Sequence, residues 1–116
     1  MQRTLTITLN SDWRAALRQA GKQAASASYA GEVLNFETPA AFFGQLTERR
    51  WAIVRAMQGQ GAMTVRELAQ RVGRDVKRVH EDAQALAELG LLERDEAGLL
   101  CPFETVHIDM ELHAAA

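Results

Sequence analysis

Apolar and polar residues alternate strictly in two segments, one near each end of the chain. Residues 4–9 read TLTITL, and residues 106–113 read VHIDMELH. A period of two residues is typical of a strand with one buried face, so both segments are predicted to be β-strands. Because a lone strand is not stable, we expect the two to pair in one sheet, within one chain or between two. A shorter strand is predicted at residues 33–37.

Apolar residues at helical spacing predict helices between these strands. Residues 12–28 carry an apolar stripe that predicts an amphipathic helix. Residues 39–46 begin with a proline and form either a short helix or a linker. A further helix is predicted to start after Thr47, which suits the capping position, and to stop before Gly59.

The next part of the chain predicts two helices joined by a tight turn. Thr64 begins a capping box and Gly73 ends the first helix, while the second runs from about Asp75 to Leu89. The stripe Val76, Val79, Ala83 and Leu86 is predicted to be its buried face, with Ala69 as the small residue where the helices cross. Such a pair of helices is a helix-turn-helix.

A β-hairpin is predicted after these helices, because residues 91–103 read LLERDEAGLLCPF, with a turn at residues 95–98. Three helices followed by a hairpin predict a winged helix-turn-helix within an α+β fold. The expected organisation has an N-terminal strand-helix extension that mediates dimerisation, a winged helix-turn-helix domain, and a C-terminal strand with its tail, at residues 1–46, 47–104 and 105–116 respectively.

Composition places the chain among globular proteins of a reducing compartment. It has 116 residues, 47% hydrophobic and 24% charged, which suits one modest core. Cys101 is the single cysteine, so no internal disulfide can form. No apolar run approaches the roughly 20 residues of a membrane span, and the N-terminal residues lack the apolar core of a signal peptide. We therefore expect a cytoplasmic protein without a membrane partner.

The distribution of charge says more than the net charge of −2. Residues 47–94 have nine Lys and Arg against seven Asp and Glu, a balance of +2, whereas the remainder has four bases and eight acids, a balance of −4. Five bases and two acids fall within residues 66–78. A local basic cluster on a mildly acidic protein suits a small nucleic-acid footprint, although a solvated helix face would look the same.

The segment TVRELAQRVGRDVKRVHEDAQALAELGLLE resembles prokaryotic winged-helix transcriptional regulators, and its DVKRVHEDAQAL portion resembles the DeoR-type pattern. With TLTITL, LTERRWAIVRAM and VHIDMEL added, the layout resembles a small family of prokaryotic DNA-binding proteins identified as MarR-like regulators or antitoxins. The resemblance covers most of the chain and is strongest over residues 47–112. It implies a DNA-binding repressor and, for the antitoxin members, the autoregulating antitoxin of a toxin–antitoxin pair with a cognate toxin as partner.

The candidate DNA-binding residues follow from this arrangement. Arg74, Lys77 and Arg78 would contact the groove and the phosphates at the start of the second helix of the pair. The others are Thr64, Arg66, Arg71, Glu81, Gln84 and Arg94. Glu81 either reads a cytosine amine or pairs with Lys77 at i,i+4 spacing, and Arg78 is expected to pair in the same way with Asp82. The hairpin tip, Asp95-Glu96, is acidic, which argues against its insertion into the minor groove.

A helix-turn-helix monomer reads few bases, so a homodimer on a palindromic double-stranded DNA site is expected. Two alternatives stay open. One is a metal- or redox-responsive sensor with ligands drawn from His80, Cys101, His107, Asp109, Glu111 and His113. The other is a protein-interaction module that does not bind DNA. No phosphate loop, nucleophile elbow or evident catalytic set is present, so neither an enzyme nor a cofactor is expected.

Overall fold

The computed structural model describes residues 3–9 and 31–112. The helix expected at residues 12–28 lies outside these residues. The described part has an α+β fold, with four helices and five strands, in the order β1 (Arg3–Leu9), β2 (Glu32–Phe36), α1 (Pro39–Gln45), α2 (Glu48–Met57), α3 (Val65–Val72), α4 (Val76–Leu89), β3 (Glu93–Asp95), β4 (Gly98–Leu100) and β5 (Phe103–Asp109).

The described residues divide into two compact units. The sheet unit contains the residues up to Gly44 together with those from Thr105 onward, and the helical unit is Gln45–Glu104. In the sheet unit the strand order is β2-β1-β5. The expected pairing of the N-terminal and C-terminal strands in one sheet is therefore confirmed, and it occurs within one chain.

β1 and β2 run parallel, with Leu5 opposite Glu32 and Leu9 opposite Phe36. Leu5 and Ile7 of β1 are buried, as the alternation predicts. At one end of the pair Arg3 Nη2 lies 2.7 Å from Glu32 Oε1. The hydrophobic and ionic contacts of the two strands together fix their register, because a slip of one residue would turn each apolar side chain to the other face.

The C-terminal strand differs from its prediction. β5 begins at Phe103 and ends at Asp109, earlier in the chain than the alternating segment at residues 106–113. Ile108 is 42% exposed, and Leu112, beyond the strand, is 77% exposed. The predicted burial of this apolar face is therefore wrong at Ile108 and Leu112, because alternation shows which side chains share a face but not whether another element packs on that face.

The helical unit has a continuous apolar core. Met57, Leu68, Leu86 and Leu91 are fully buried, as are Ile53 of α2 and Val79 of α4. α3 ends at Gly73, whose φ of 68° is in the left-handed region that glycine adopts without strain. The chain then turns through Arg74, whose N–H donates to Ala69 O at 3.1 Å. This turn holds α4 at its angle to α3.

The hairpin of β3 and β4 is attached to the segment before α3. Met63 and Leu99 exchange two backbone hydrogen bonds of 2.8 Å each, which form an antiparallel bridge. Gly98 has a φ of 138°, and a Cβ atom there would overlap the carbonyl of Met63. The close approach of the two backbones therefore requires glycine at position 98.

Candidate functional site

The start of α4 is the centre of the candidate site. Asp75 caps the helix, with its Oδ2 accepting from the backbone N–H of Arg78 at 3.3 Å. Val79, Ala83 and Leu86 form the buried face. At about 100° per residue, Lys77 lies on the opposite side of the helix, and its side chain is exposed. Packing of one face thus presents the other to solvent.

Eight of the nine predicted site residues are exposed in the helical unit, namely Thr64, Arg66, Arg71, Lys77, Arg78, Glu81, Gln84 and Arg94. They come from α3, α4 and the hairpin, together with the cap of α3. Thr64 also has a structural role, because its Oγ1 accepts from the N–H of Glu67 at 3.2 Å and lies 3.3 Å from Glu67 Oε1. Arg71 Nη1 donates to Gln60 Oε1 at 3.4 Å.

Arg74, the ninth predicted residue, lies in an ion cluster rather than on the exposed face. Its Nη2 donates to Asp82 Oδ2 at 2.9 Å, and Arg50 Nε donates to Asp82 Oδ1 at 3.1 Å. The three side chains are only 18–21% exposed. Arg74 Nη1 is buried without a hydrogen-bond partner. The guanidinium of Arg74 therefore ties the α3–α4 turn to α4.

The expected i,i+4 pair between Arg78 and Asp82 is wrong, because both oxygens of Asp82 are taken by Arg50 and Arg74. Asp82 lies at the border of the buried face of α4, where α2 and the turn approach. Burial raises the pKa of Asp82, but the hydrogen bonds and charges of Arg74 and Arg50 outweigh it and hold that pKa below its ordinary value of 3.8.

Val76 also departs from its prediction. It was placed on the buried face of α4, yet its side chain is 44% exposed. As the first residue of α4, it lies beyond the part of the helix that the core covers. The predictions for Val76 and Asp82 both fail in the first two turns of α4. Helical spacing gives the side of the helix on which each residue lies, but it does not show which other part of the chain packs on that side.

The hairpin borders the C-terminal half of α4. A groove of about 550 Å³ lies between them, lined by Gln84, Ala87, Glu88, Leu92, Glu93 and Arg94. The acidic tip has a structural explanation, because Asp95 Oδ1 accepts from the N–H groups of Ala97 at 2.7 Å and Gly98 at 3.1 Å. Asp95 thereby forms the Asx turn that closes the hairpin.

The alternative set of metal ligands is not assembled in the part of the chain that the structure describes, where no group of three His, Cys, Asp or Glu side chains could hold a metal ion. His113 lies outside the described residues. Cys101 is buried, and burial raises the pKa of its thiol above the ordinary value of 9.0. A thiol in this environment is a poor nucleophile.

Comparison with known proteins gives a family but no activity. No curated protein and no solved structure matches the chain at a significant level. Among the described helices, none is both long enough and apolar enough to cross a membrane. The model of the HVO_A0114 family matches residues 45–108, which contain the helical unit and most of β5. Because this match covers more than half of the 116 residues, the protein belongs to the HVO_A0114 family.

Proposed function

We propose that the protein is a sequence-specific DNA-binding transcriptional regulator, a repressor of the winged helix-turn-helix class. The observation that carries the proposal is the exposure of Lys77 and Arg78 in the first turn of a helix whose other face is packed on the core. The order of three helices and a hairpin, with α3 and α4 joined at Gly73, supports assignment of α4 as the recognition helix.

In this proposal the basic residues keep the roles predicted from the sequence, except for Arg74. Lys77 and Arg78 are the main contacts, and Arg66 and Arg71 on α3 contact phosphates. Gln84 and Glu81 lie farther along α4, and Arg94 approaches from the hairpin. Arg74 instead positions α4 through Asp82.

The test is a binding titration on DNA from upstream of the protein's own gene, over a range of salt concentrations. Each lost phosphate contact lowers the slope of log affinity against log salt by about 0.9. We expect the double variant Lys77→Ala/Arg78→Ala to bind more weakly and with a lower slope. Arg49→Ala, at an exposed arginine of α2, is the matched control. It should keep the affinity and the salt dependence of the wild type.

Unchanged affinity in the double variant would refute the contact assignment. A protein that binds no DNA at any salt concentration would refute the function itself and would favour a protein-interaction module. The two outcomes are distinguishable because phosphate contacts with DNA give a steep dependence of affinity on salt, whereas a protein without DNA contacts gives no binding to measure.

The proposal includes a homodimer, because two copies on a palindrome read twice as many bases as one. The sheet unit is the proposed dimer surface, since Ile108 and Leu112 are exposed there and the helical unit already contains the proposed DNA contacts. Light scattering on the purified protein should give twice the mass of one chain, which is 12.8 kDa. The variant Ile108→Arg should have a lower measured mass because it weakens the dimer. A monomer at micromolar concentration would contradict this part.

The antitoxin role and the cytoplasmic location belong to the same proposal. The antitoxin role follows from the resemblance to antitoxin-type regulators, and a regulator of transcription in a prokaryote acts in the cytoplasm. The test is to express the product of the adjacent gene. We expect a small protein that arrests growth when it is expressed alone, and we expect this chain to neutralise it by direct binding. An adjacent gene product that is not toxic would refute the antitoxin role but not the role as a repressor.

A further inference from the structure

Val76 is the single exposed large hydrophobic residue of the helical unit, Gln45–Glu104, which the structure describes completely. Its side chain is 44% exposed, whereas Val79, one turn later, is fully buried. Valine also has a lower helix propensity than alanine, because its branched side chain loses rotamer freedom. The protein thus covers only part of the Val76 side chain, and helix propensity does not favour valine at this position.

The surroundings of Val76 are those of the proposed DNA contacts. It is the first residue of α4, directly before Lys77 and Arg78. His80, four residues later, is exposed on the same side of the helix. A recognition helix that enters the major groove by its N-terminal end brings its first residues against the base edges. Val76 would then meet bases while its basic neighbours meet phosphates or guanine.

The major groove offers an apolar partner in one place. Thymine carries a methyl group at C5, whereas the other groups that define the base pairs there are hydrogen-bond donors and acceptors. A valine side chain has no donor or acceptor, so among the groups that distinguish the base pairs it favours that methyl group. We propose that Val76 contacts the C5-methyl group of a thymine and selects thymine at one position of each half-site. This inference rests on the proposed DNA-binding function.

The experiment begins with selection of preferred duplexes from random DNA by the full-length protein. Thymine in the selected site is then replaced, one position at a time, by deoxyuridine, which lacks only the methyl group. Burial of one methyl group corresponds to about a fourfold change in affinity. We expect one position per half-site to show this loss with the wild type. Val76→Ala should bind the thymine site about fourfold more weakly and show no further loss with deoxyuridine.

Val33→Ala is the matched control, the same truncation at a valine that is 39% exposed on β2, and it should keep the full loss with deoxyuridine. Equal loss in Val76→Ala and the wild type would overturn the inference, as would a selected site with no methyl-dependent position. Both results leave DNA binding intact. Failure to select any sequence would instead refute the proposed function, and the inference with it.

Discussion

Asp82 is predicted to be the main electrostatic support of the helical unit. Replacement by Asn keeps the size of the side chain and removes its charge. The amide oxygen can still accept from one arginine, but the amide NH₂ group then faces the donors of the other. Asn thus loses one of the two charge-assisted hydrogen bonds to Arg50 and Arg74 and places donor against donor.

The expected change in the free energy of unfolding follows from the partial burial of the three side chains. A hydrogen bond to a charged group contributes about 1.5–3 kcal/mol, and an exposed ion pair less than about 1 kcal/mol. Because the three side chains are only 18–21% exposed, the range for a hydrogen bond to a charged group applies rather than the range for an exposed ion pair. We expect Asp82→Asn to lower the free energy of unfolding by about 2 kcal/mol. For a chain of this size the midpoint of thermal unfolding should fall by about 8 °C.

The assay is urea unfolding followed by circular dichroism, from pH 7 to pH 3. Glu81→Gln is the matched control, because it neutralises the neighbouring, exposed carboxylate and should change stability by less than about 0.5 kcal/mol. The pKa of Asp82 is lowered in the folded protein. Its stabilisation is therefore present above the ordinary value of 3.8 and is lost as the pH falls through the lower folded pKa.

The difference between the wild type and Asp82→Asn should accordingly stay constant from pH 7 to about pH 5 and narrow below pH 4. The reasoning would be refuted if Asp82→Asn were as stable as Glu81→Gln at pH 7. A difference that stayed unchanged well below the folded pKa of Asp82 would equally contradict the assigned ionic role.

Three further outcomes follow from single residues. Gly98→Ala should lower the free energy of unfolding by about 2–3 kcal/mol, because the added Cβ would overlap the Met63 carbonyl and the backbone has a positive φ. Gly61→Ala, where the added Cβ meets no other atom, should change the free energy of unfolding little in the same urea titration. Thr64→Ala should cost about 1 kcal/mol through loss of the α3 cap, and full stability by thermal melting would contradict this. Cys101, buried with a raised pKa, should react with a thiol reagent only as the protein unfolds, and rapid reaction in the native state would revive the redox-sensor alternative.

Most of the features that the sequence predicted correctly are local ones, and the presence of β1 and β5 in one sheet is the exception. The caps at Thr47 and Thr64 and the stop at Gly73 fix helix ends, and each depends on residues within one turn. The hairpin likewise follows from its own turn residues. The described helices begin and end within one or two residues of their predicted bounds, whereas β4 ends at Leu100, before the end of the segment predicted as the hairpin.

The errors concern contacts between distant parts of the chain. Arg50 lies 32 residues before Asp82, so an i,i+4 rule could not identify it as the partner. Ile108 belongs to an alternating segment, but alternation does not say whether a neighbouring element covers the apolar face. The candidate site has the same limit: the exposed arginines were identified by helical spacing, whereas the inward position of Arg74 depends on the tertiary fold.

The charge arrangement of α4 is the reverse of what would stabilise a helix. The positive end of the helix dipole is at the N-terminus, where acidic residues are favourable and basic residues unfavourable by about 0.3–1 kcal/mol each. Yet the first turn of α4 has Lys77 and Arg78, with no acid inside the helix there, and the last turn has no base but contains Glu88.

The helix dipole therefore does not favour the two bases at the start of α4, where the first turn holds no acid and Asp75 lies at the cap. A phosphate near this end would meet the two cations, Lys77 and Arg78. In the absence of DNA, Lys77→Ala/Arg78→Ala should unfold at the same urea concentration as the wild type or a higher one. Destabilisation by more than about 1 kcal/mol would mean that the side chains support the fold, and the case for α4 as a recognition helix would lose its electrostatic basis.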